Sequence, residues 1–261
     1  MVCPAKKAEI IIAALKAGKH VVTDKPLAMS VEEAEAICRA ERDSGKRGFM
    51  LAGYHTRPLV KMLSQSISEG ALGELKAVSM RLCFMGGIFP GFNPTARWRS
   101  ENLSAEMQTI GTHALVTLHK LTGEIPKYVY ATRKFNFYPS YAEVNAEDWA
   151  TLNLQFQSGL VANVKVGRTP HRIPGEDIQL ELTGTKGYAR INKDCLEIHP
   201  SGINIQIPVD GGKVLNETFA GYYDCLENGL PMPTTFTDGL ALQRVLAAAV
   251  DSAESGQVKT I

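Results

Sequence analysis

Two residues of this chain stand where side chains carry proton chemistry. Lys25 sits in the string HVVTDKPLA, where a short β-rich run stops and a proline follows. Sheets of the α/β type hold ligands at the carboxyl ends of their strands. A lysine placed there and partly desolvated has a lowered pKa, and it can hydrogen-bond a carbonyl oxygen or relay a proton. The residue before a proline is steered toward extended geometry, and a cis bond is accessible at Lys25-Pro26. The second residue is His113, in the string T-I-G-T-H (109–113). An imidazole titrates at about 6.5 when unperturbed, which suits a proton relay near neutrality. Thr109, one helical turn before His113 on the same face, can donate and accept a hydrogen bond but cannot act as a base. Glu106 lies two turns from His113, about 10 Å along a helix, and is a poor orienting carboxylate.

Other residues gather around these in the sequence pattern. His55 and Arg57 in GYHTRP follow an apolar run and fall on the same carboxyl edge, where Arg57 serves either an ion pair or a substrate contact. In the string Arg97-Trp98-Arg99, an aromatic beside an arginine can lie over a flat ring or hold a hydroxyl or carboxylate; the other reading is a loop anchor. Arg168 and His171, in GRTPHRIPGED, occupy a loop able to reach a pocket. Tyr222 and Tyr223 read as core or interface, and His20, His119 and His199 each have an adequate structural reading.

These residues need elements to hold them. Residues 5–17 show helical spacing closed by Gly18, and HVVTD is a short strand. Ser30 with Glu33 three residues later opens the next helix as a capping box, which runs to about Ser44 and stops at Gly45. GFMLAG is a buried strand, and Pro58 starts a helix ending at Gly70. The first 70 residues thus alternate helix and strand, the pattern of a parallel α/β sheet. From residue 74 the pattern changes to a long strand, a loop at 86–100, a long helix ended by Gly123, and strands at 127–137, 148–157, 160–167, 177–183 and 187–192, with shorter ones to about 208. Short turns between consecutive strands imply a mostly antiparallel sheet. Helices at about 215–229 and 238–255 close the chain. The expected fold class is therefore α/β plus α+β. A partial Rossmann-type parallel sheet over 1–73 precedes a large open antiparallel sheet over 74–261, with helices on one face. The last helix is placed so that it can pack back on the first part, and the bare sheet face is expected to pair with a second copy of the chain.

Composition narrows the function classes. The chain has 261 residues, 44% hydrophobic and 21% charged, with a formal net charge of +1. Those are globular values, without the basic footprint of a nucleic-acid or anionic-membrane binder. No apolar run approaches the roughly 20 residues of a bilayer span, and Glu9 and Lys16 interrupt the apolar start, which reads as an amphipathic helix; the expected location is the cytoplasm. The five cysteines are scattered with no C-x-x-C pair, which argues against a disulfide framework or a zinc site.

The string P-x-x-x-x-E-I-I-I-A-A-L-K-A-G-K-H-V-V-T-D-K-P-L-A, from Pro4 to Ala28, resembles the glucose–fructose oxidoreductase/inositol dehydrogenase (Gfo/Idh/MocA) family of NAD(P)-dependent oxidoreductases. In that family the block usually reads Thr-Pro, a helix, Ala-Gly-Lys-His-Val and then Glu-Lys-Pro-Leu-Ala. RPLVKMLSQSISEGALGEL (57–75), RWR ahead of a helix with Gly111-Thr112-His113, and the tail DGLALQRVLAAAVDSAESGQV resemble later family segments in the same order. The resemblance implies hydride transfer between nicotinamide and a sugar, polyol or related hydroxy compound. It implies catalytic roles for Lys25 and His113, cofactor contacts at Pro4, Asp24, Lys25, Pro26, Trp98 and Arg99, and substrate contacts at His55, Arg57, Thr109 and Arg168, with no metal.

The chain also departs from the family pattern. The family helix commonly reads D-x-G-x-H, and Thr109 stands at the aspartate. Lys7 stands where a histidine often follows Thr-Pro. No G-x-G-x-x-G string occurs. On the resemblance, the chain is an N-terminally shortened member in which binding of NAD or NADP is weakened or lost. The alternative is a non-catalytic remnant that binds sugars or dimerises. The acidic or basic residue that chooses between NAD and NADP is not identified.

Overall fold

The structure, a computed structural model, describes residues 6–85, 106–134, 137–142, 146–170, 178–207 and 211–261. Helix α1 (Lys7–Lys16) buries Ala8, Ile11 and Leu15, three residues on one stripe of a 3.6-residue period, against α2 (Val31–Ser44). Between them β1 (Val21–Asp24) pairs in parallel with β2 (Gly48–Leu51), in register from Val21↔Gly48 to Asp24↔Leu51. Ser30 caps α2 by accepting a hydrogen bond from the Glu33 amide at 3.2 Å, while the Glu33 carboxylate accepts from the amide of Met29 at 3.0 Å. The helix stops at Gly45, whose φ of 63° only glycine adopts without penalty. A 3-10 turn (Gly53–Thr56) follows β2 and leads into α3 (Pro58–Ser68).

The rest of the chain builds a nine-stranded sheet. Its strands are β3 (Leu75–Met85), β4 (Tyr128–Lys134), β5 (Trp149–Gln155), β6 (Val161–Thr169), β7 (Gln179–Gly184), β8 (Tyr188–Asn192), β9 (Cys195–His199), β10 (Ile203–Gln206) and β11 (Lys259–Thr260). They lie in the order β10-β9-β8-β7-β3-β6-β5-β4-β11. Among the described strands every pair in this sheet is antiparallel except β3 with β6, which run parallel from Ala77↔Val161 to Met85↔Thr169. The remaining helices are α4 (Glu106–Thr122), the short α5 (Pro139–Ala142), α6 (Gly211–Glu227) and α7 (Phe236–Ser255).

Alternation fixes the two sheet faces. Val129, Ala131, Leu152, Leu154, Val164, Leu180, Ile191 and Ile198 turn inward and are buried, with α4 against β3, β5 and β6, α7 against β4, and α3 against β8 and β9. Each fully buried aliphatic side chain of this kind contributes about 1.5–3 kcal/mol. The opposite face carries Tyr130, Asn153, Lys165, Glu181, Tyr188 and Arg190, all exposed. Helix α7 also joins the two parts. The Cys38 thiol donates to the Phe236 carbonyl at 3.4 Å, Arg244 pairs with Glu35 at 2.9 Å, and the Met50 amide donates to the Thr234 carbonyl at 3.1 Å. The last helix therefore packs on the first part, and most of the buried apolar side chains form one cluster, beside a smaller one of Phe49, Tyr222 and Met232.

Several boundaries differ from the sequence reading. Helices α6 and α7 start earlier than expected. The α7 start is set by a capping box at Thr235 and Asp238, each holding the other's backbone amide. Strand β11 and α5 are too short to leave a periodic signal. Among the described residues no helix is long and apolar enough to cross a membrane.

Gly48 marks a tight join between β2 and α7. A Cβ built on it would lie 2.1 Å from the Phe236 ring, and Phe236 is fully buried with no room to retreat. Gly48→Ala is expected to destabilise by about 1–3 kcal/mol through overpacking. Thermal unfolding of the variant should show a midpoint lower by several degrees; an unchanged midpoint would refute this packing.

Candidate functional site

The strands that end at the site deliver side chains from their last residues or from just beyond them. Lys25 follows β1, and its amide donates to the Leu51 carbonyl at 3.2 Å, which continues the β1–β2 ladder by one bond. The Lys25-Pro26 bond is cis. The ammonium then crosses to α4, where Nζ donates to the Thr109 carbonyl at 2.7 Å. Lys25 is thus held on the main chain of the helix that carries His113. Asp24 is exposed and Pro26 buried, and both offer their carbonyls to one donor: Lys7 Nζ reaches them at 2.7 and 2.8 Å. Burial lowers the Lys7 pKa, and the Asp24 carboxylate opposes that in part. Lys7, the residue at which the family histidine was missing, clamps both sides of Lys25.

His113 faces the turn after β2. Its ring meets Tyr54 edge-on at 5.0 Å, and its Nδ1 is buried without a hydrogen-bond partner. Burial, and then the charges of Lys25, His55 and Arg57, hold its pKa well below the ordinary histidine value. Tyr54 carries the Arg57 guanidinium over its face at 4.2 Å and lies 6.0 Å from Phe84. Phe84 is the inward residue near the end of β3. Its register partner on the parallel strand β6 is Arg168, whose guanidinium lies 5.5 Å from the Phe84 ring. Arg168 Nε pairs with the buried Glu106 carboxylate at 3.2 Å, and Tyr141 donates its hydroxyl to the same carboxylate at 2.7 Å. Glu106 is committed to Arg168 and Tyr141, in keeping with its being too far along α4 to orient His113.

Lys25, Thr109, His113, Arg57 and Arg168 therefore line one region, bounded by the ends of β1, β2, β3 and β6. His55 turns the other way: Nε2 meets the Thr234 hydroxyl at 3.2 Å, between the 3-10 turn and the chain leading into α7. Tyr222 stacks on Phe49 at 4.4 Å inside a small apolar cluster, and Tyr223 is exposed. Pro4, Arg97, Trp98, Arg99 and His171 lie outside the described residues. Among the described residues no group of three or more His, Cys, Asp or Glu is placed to hold a metal ion. Sequence reasoning passed over Tyr54 and Phe84, whose meeting joins segments that nothing local connects. The only local signal was the aromatic beside His55.

Two outcomes follow from this geometry. Lys7→Met removes the donor shared by the Asp24 and Pro26 carbonyls. It should cost about 1–2 kcal/mol and speed amide hydrogen exchange over residues 24–28 more than elsewhere; uniform exchange would deny the clamp. His55 has its pKa lowered to about 4, chiefly by burial, against 6.5 when unperturbed. The unfolded chain takes up that proton first as pH falls, so stability is full above about 6.5 and is lost down to about 4. Urea unfolding at pH 7 and pH 5 should differ by about 2 kcal/mol from His55 alone, and His55→Gln should remove that share.

Residues 60–190 match the GFO/IDH/MocA C-terminal domain, and residues 1–52 match the NAD-binding Rossmann fold of the oxidoreductase family. The chain is 28% identical over 207 residues to a levoglucosan dehydrogenase of Pseudarthrobacter phenanthrenivorans, a match that takes in 71% of this chain and 52% of that protein, so the chain spans about half its length. It is 24% identical to a scyllo-inositol 2-dehydrogenase (NADP(+)) of Bacillus subtilis, covering 94% of this chain and 73% of that one. The solved structure of a levoglucosan dehydrogenase in complex with NADH and levoglucosan superposes with a TM-score of 0.86 at 23% identity, over all of this chain and 78% of the other. The family segments match in order, and the helices and strands superpose on those of that solved structure. The chain belongs to the Gfo/Idh/MocA family of oxidoreductases.

Proposed function

We propose that this pocket transfers hydride between a nicotinamide cofactor, NAD or NADP, and a carbinol carbon of a sugar, polyol or related hydroxy compound. The observation that carries the reading is the convergence of Lys25 and His113 across Thr109 at the carboxyl ends of β1 and β2. The residues present suit the nicotinamide end of the cofactor. Asp24, Lys25 and Pro26 form the rim where parallel strands end, and the buried Nδ1 of His113 lacks a partner. When bound, the nicotinamide supplies the hydride acceptor or donor.

The chain's own residues handle the proton. Hydride can leave a carbinol carbon only as the hydroxyl proton leaves its oxygen, so a base must sit at that oxygen. An imidazole pushed well below its ordinary pKa is a weak base at neutrality. His113 therefore acts as a neutral hydrogen-bond partner that orients the substrate hydroxyl. Lys25, held by the Thr109 carbonyl, exchanges the proton. Thr109 provides its main-chain oxygen for this, and its hydroxyl takes no proton.

The wider reading keeps two units, 1–73 for the cofactor and 74–261 for substrate and assembly. The exposed sheet face, with Tyr130 and Tyr188 among its aromatic residues, suits a homo-oligomer. Cys38, Cys83, Cys195 and Cys225 are free thiols, in keeping with the cytoplasm. A second reading, a sugar-binding protein without catalysis, is favoured by one feature: threonine stands where the family helix has its carboxylate.

Titration of NADH and NADPH fluorescence separates the two. The expected result is saturable binding of one cofactor, held weakly because the sequence contains no G-x-G-x-x-G loop. Lys25→Met should keep that binding while turnover falls roughly a hundredfold to ten-thousandfold. No binding of either cofactor at millimolar concentration would reject the dehydrogenase and leave the binding protein.

A further inference from the structure

Lys25 and its acceptor are brought together by more than their own bond. Gln108, the residue before Thr109, is buried in the first turn of α4, and a buried amide is costly unless its donors find acceptors. Its Nε2 donates to Gln243 Oε1 of α7 at 2.8 Å and to the Ala28 carbonyl at 3.4 Å. Helix α4 and residues 25–28 are therefore tied twice, in opposite senses. Lys25 Nζ donates to the Thr109 carbonyl at 2.7 Å, and Gln108 donates back to the chain at Ala28. Between the two ties Leu27 is buried, close against Gly239 of α7. The main chain at Gln108 is itself fixed, because the Thr112 hydroxyl donates to its carbonyl at 2.6 Å.

The chemistry of these partners leaves one arrangement. A main-chain carbonyl only accepts, so the group that Gln108 turns to Ala28 is its NH2, and Gln243 must then present its oxygen. Gln243, also buried, holds the amide in that orientation. Two leucines at these positions would pack without any polar group to satisfy, but they would leave the Ala28 carbonyl without this donor. The amide pair thus serves the backbone just beyond Lys25. We infer that Gln108 is a positioning residue for Lys25: oriented by Gln243, it sets residues 25–28 against α4 so that Nζ is held at the Thr109 carbonyl, within reach of the reacting hydroxyl. Gln108 acts through Lys25 and not on the substrate. The inference rests on Lys25 exchanging the proton in the proposed reaction.

Variants of the full chain test it. Gln108→Met keeps the length of the side chain and loses both donors, and Gln243→Leu removes the acceptor that orients the amide. Gly48→Ala, which strains the join of β2 to α7 without touching Gln108, controls for lost stability. Two readouts are taken. One is turnover of NAD and NADP with D-glucose, D-glucitol and myo-inositol. The other is acylation of Lys25 by acetic anhydride, followed by mass spectrometry against the exposed Lys19, which needs no turnover. Gln108→Met should lower kcat roughly tenfold to a hundredfold, as misplacement of a reacting group does, and leave KM within about twofold. Its Lys25 acylation should rise about threefold or more as the hydrogen bond to Thr109 loosens. Gln243→Leu should give a smaller change of the same kind, and it keeps the test open if Gln108→Met does not fold. Gly48→Ala should leave Lys25 acylation as it is. Unchanged Lys25 acylation in both glutamine variants, an equal rise in Gly48→Ala, or a loss of turnover carried by KM alone would overturn the inference. A native chain without turnover, in which Gln108→Met still raises Lys25 acylation, would uphold the hold of Gln108 on Lys25 and reject the dehydrogenase. Native turnover that Gln108→Met leaves intact would do the reverse.

Discussion

The hydrogen bond from Lys25 to the Thr109 carbonyl is the constraint on which the site depends. It joins the end of the first strand to the first turns of α4, across a sequence separation of 84 residues. A carbonyl has two lone pairs, so Thr109 can hold the lysine while keeping its place in the helix. The acceptor is a neutral main-chain oxygen. A carboxylate at this point would offset the charge and orient the imidazole. A main-chain oxygen orients the lysine alone. Burial first, and then the charges of its neighbours, hold the His113 pKa well below the ordinary histidine value.

Holding a lysine on a carbonyl requires both ends to be rigid. At one end the ladder bond to Leu51 and the two hydrogen bonds from Lys7 fix the backbone around Lys25. At the other, α4 is almost wholly buried between the sheet and α7, and Gln108 is tied at 2.8 Å to Gln243 of α7. Helix α7 in turn reaches back to α2 and β2. The loop around Leu27 comes close enough to α7 that a Cβ on Gly239 would lie 2.9 Å from the Leu27 side chain. Packing density thus places the lysine to within a hydrogen bond's tolerance, although its own side chain is long and flexible.

Much of this fold was legible because its signals are local. The stripe of α1, the alternation of β5 and β6, and the Ser30 cap and Gly45 stop of α2 each follow from residues within a few positions of one another. The site was legible only in part. Lys25 and His113 were marked by their own motifs and Arg57 by its place after a strand, whereas Arg168, expected in a loop, lies within β6. What the sequence could not show is which groups meet. Phe84 touches Tyr54 and registers with Arg168 because strands far apart in the chain become neighbours, and no short pattern encodes that pairing. His55 shows the converse: its motif sits on the right edge, but the turn points the ring at Thr234 instead of at the pocket.

The parallel pairing of β3 with β6 explains why the charged residues fall together. In an antiparallel pair the end of one strand lies beside the beginning of its neighbour, so residues following both ends sit at opposite edges of the sheet. A parallel pair brings both carboxyl ends to one edge. Here that edge faces the ends of β1 and β2, and the result is the sequence Lys25, Tyr54, Arg57, Phe84 and Arg168 around a single helix. Were β6 reversed, Arg168 would lie at the far edge and Glu106 would be left buried without its cation, a cost of several kcal/mol. The same pairing therefore satisfies the buried acid and supplies the pocket with its second arginine.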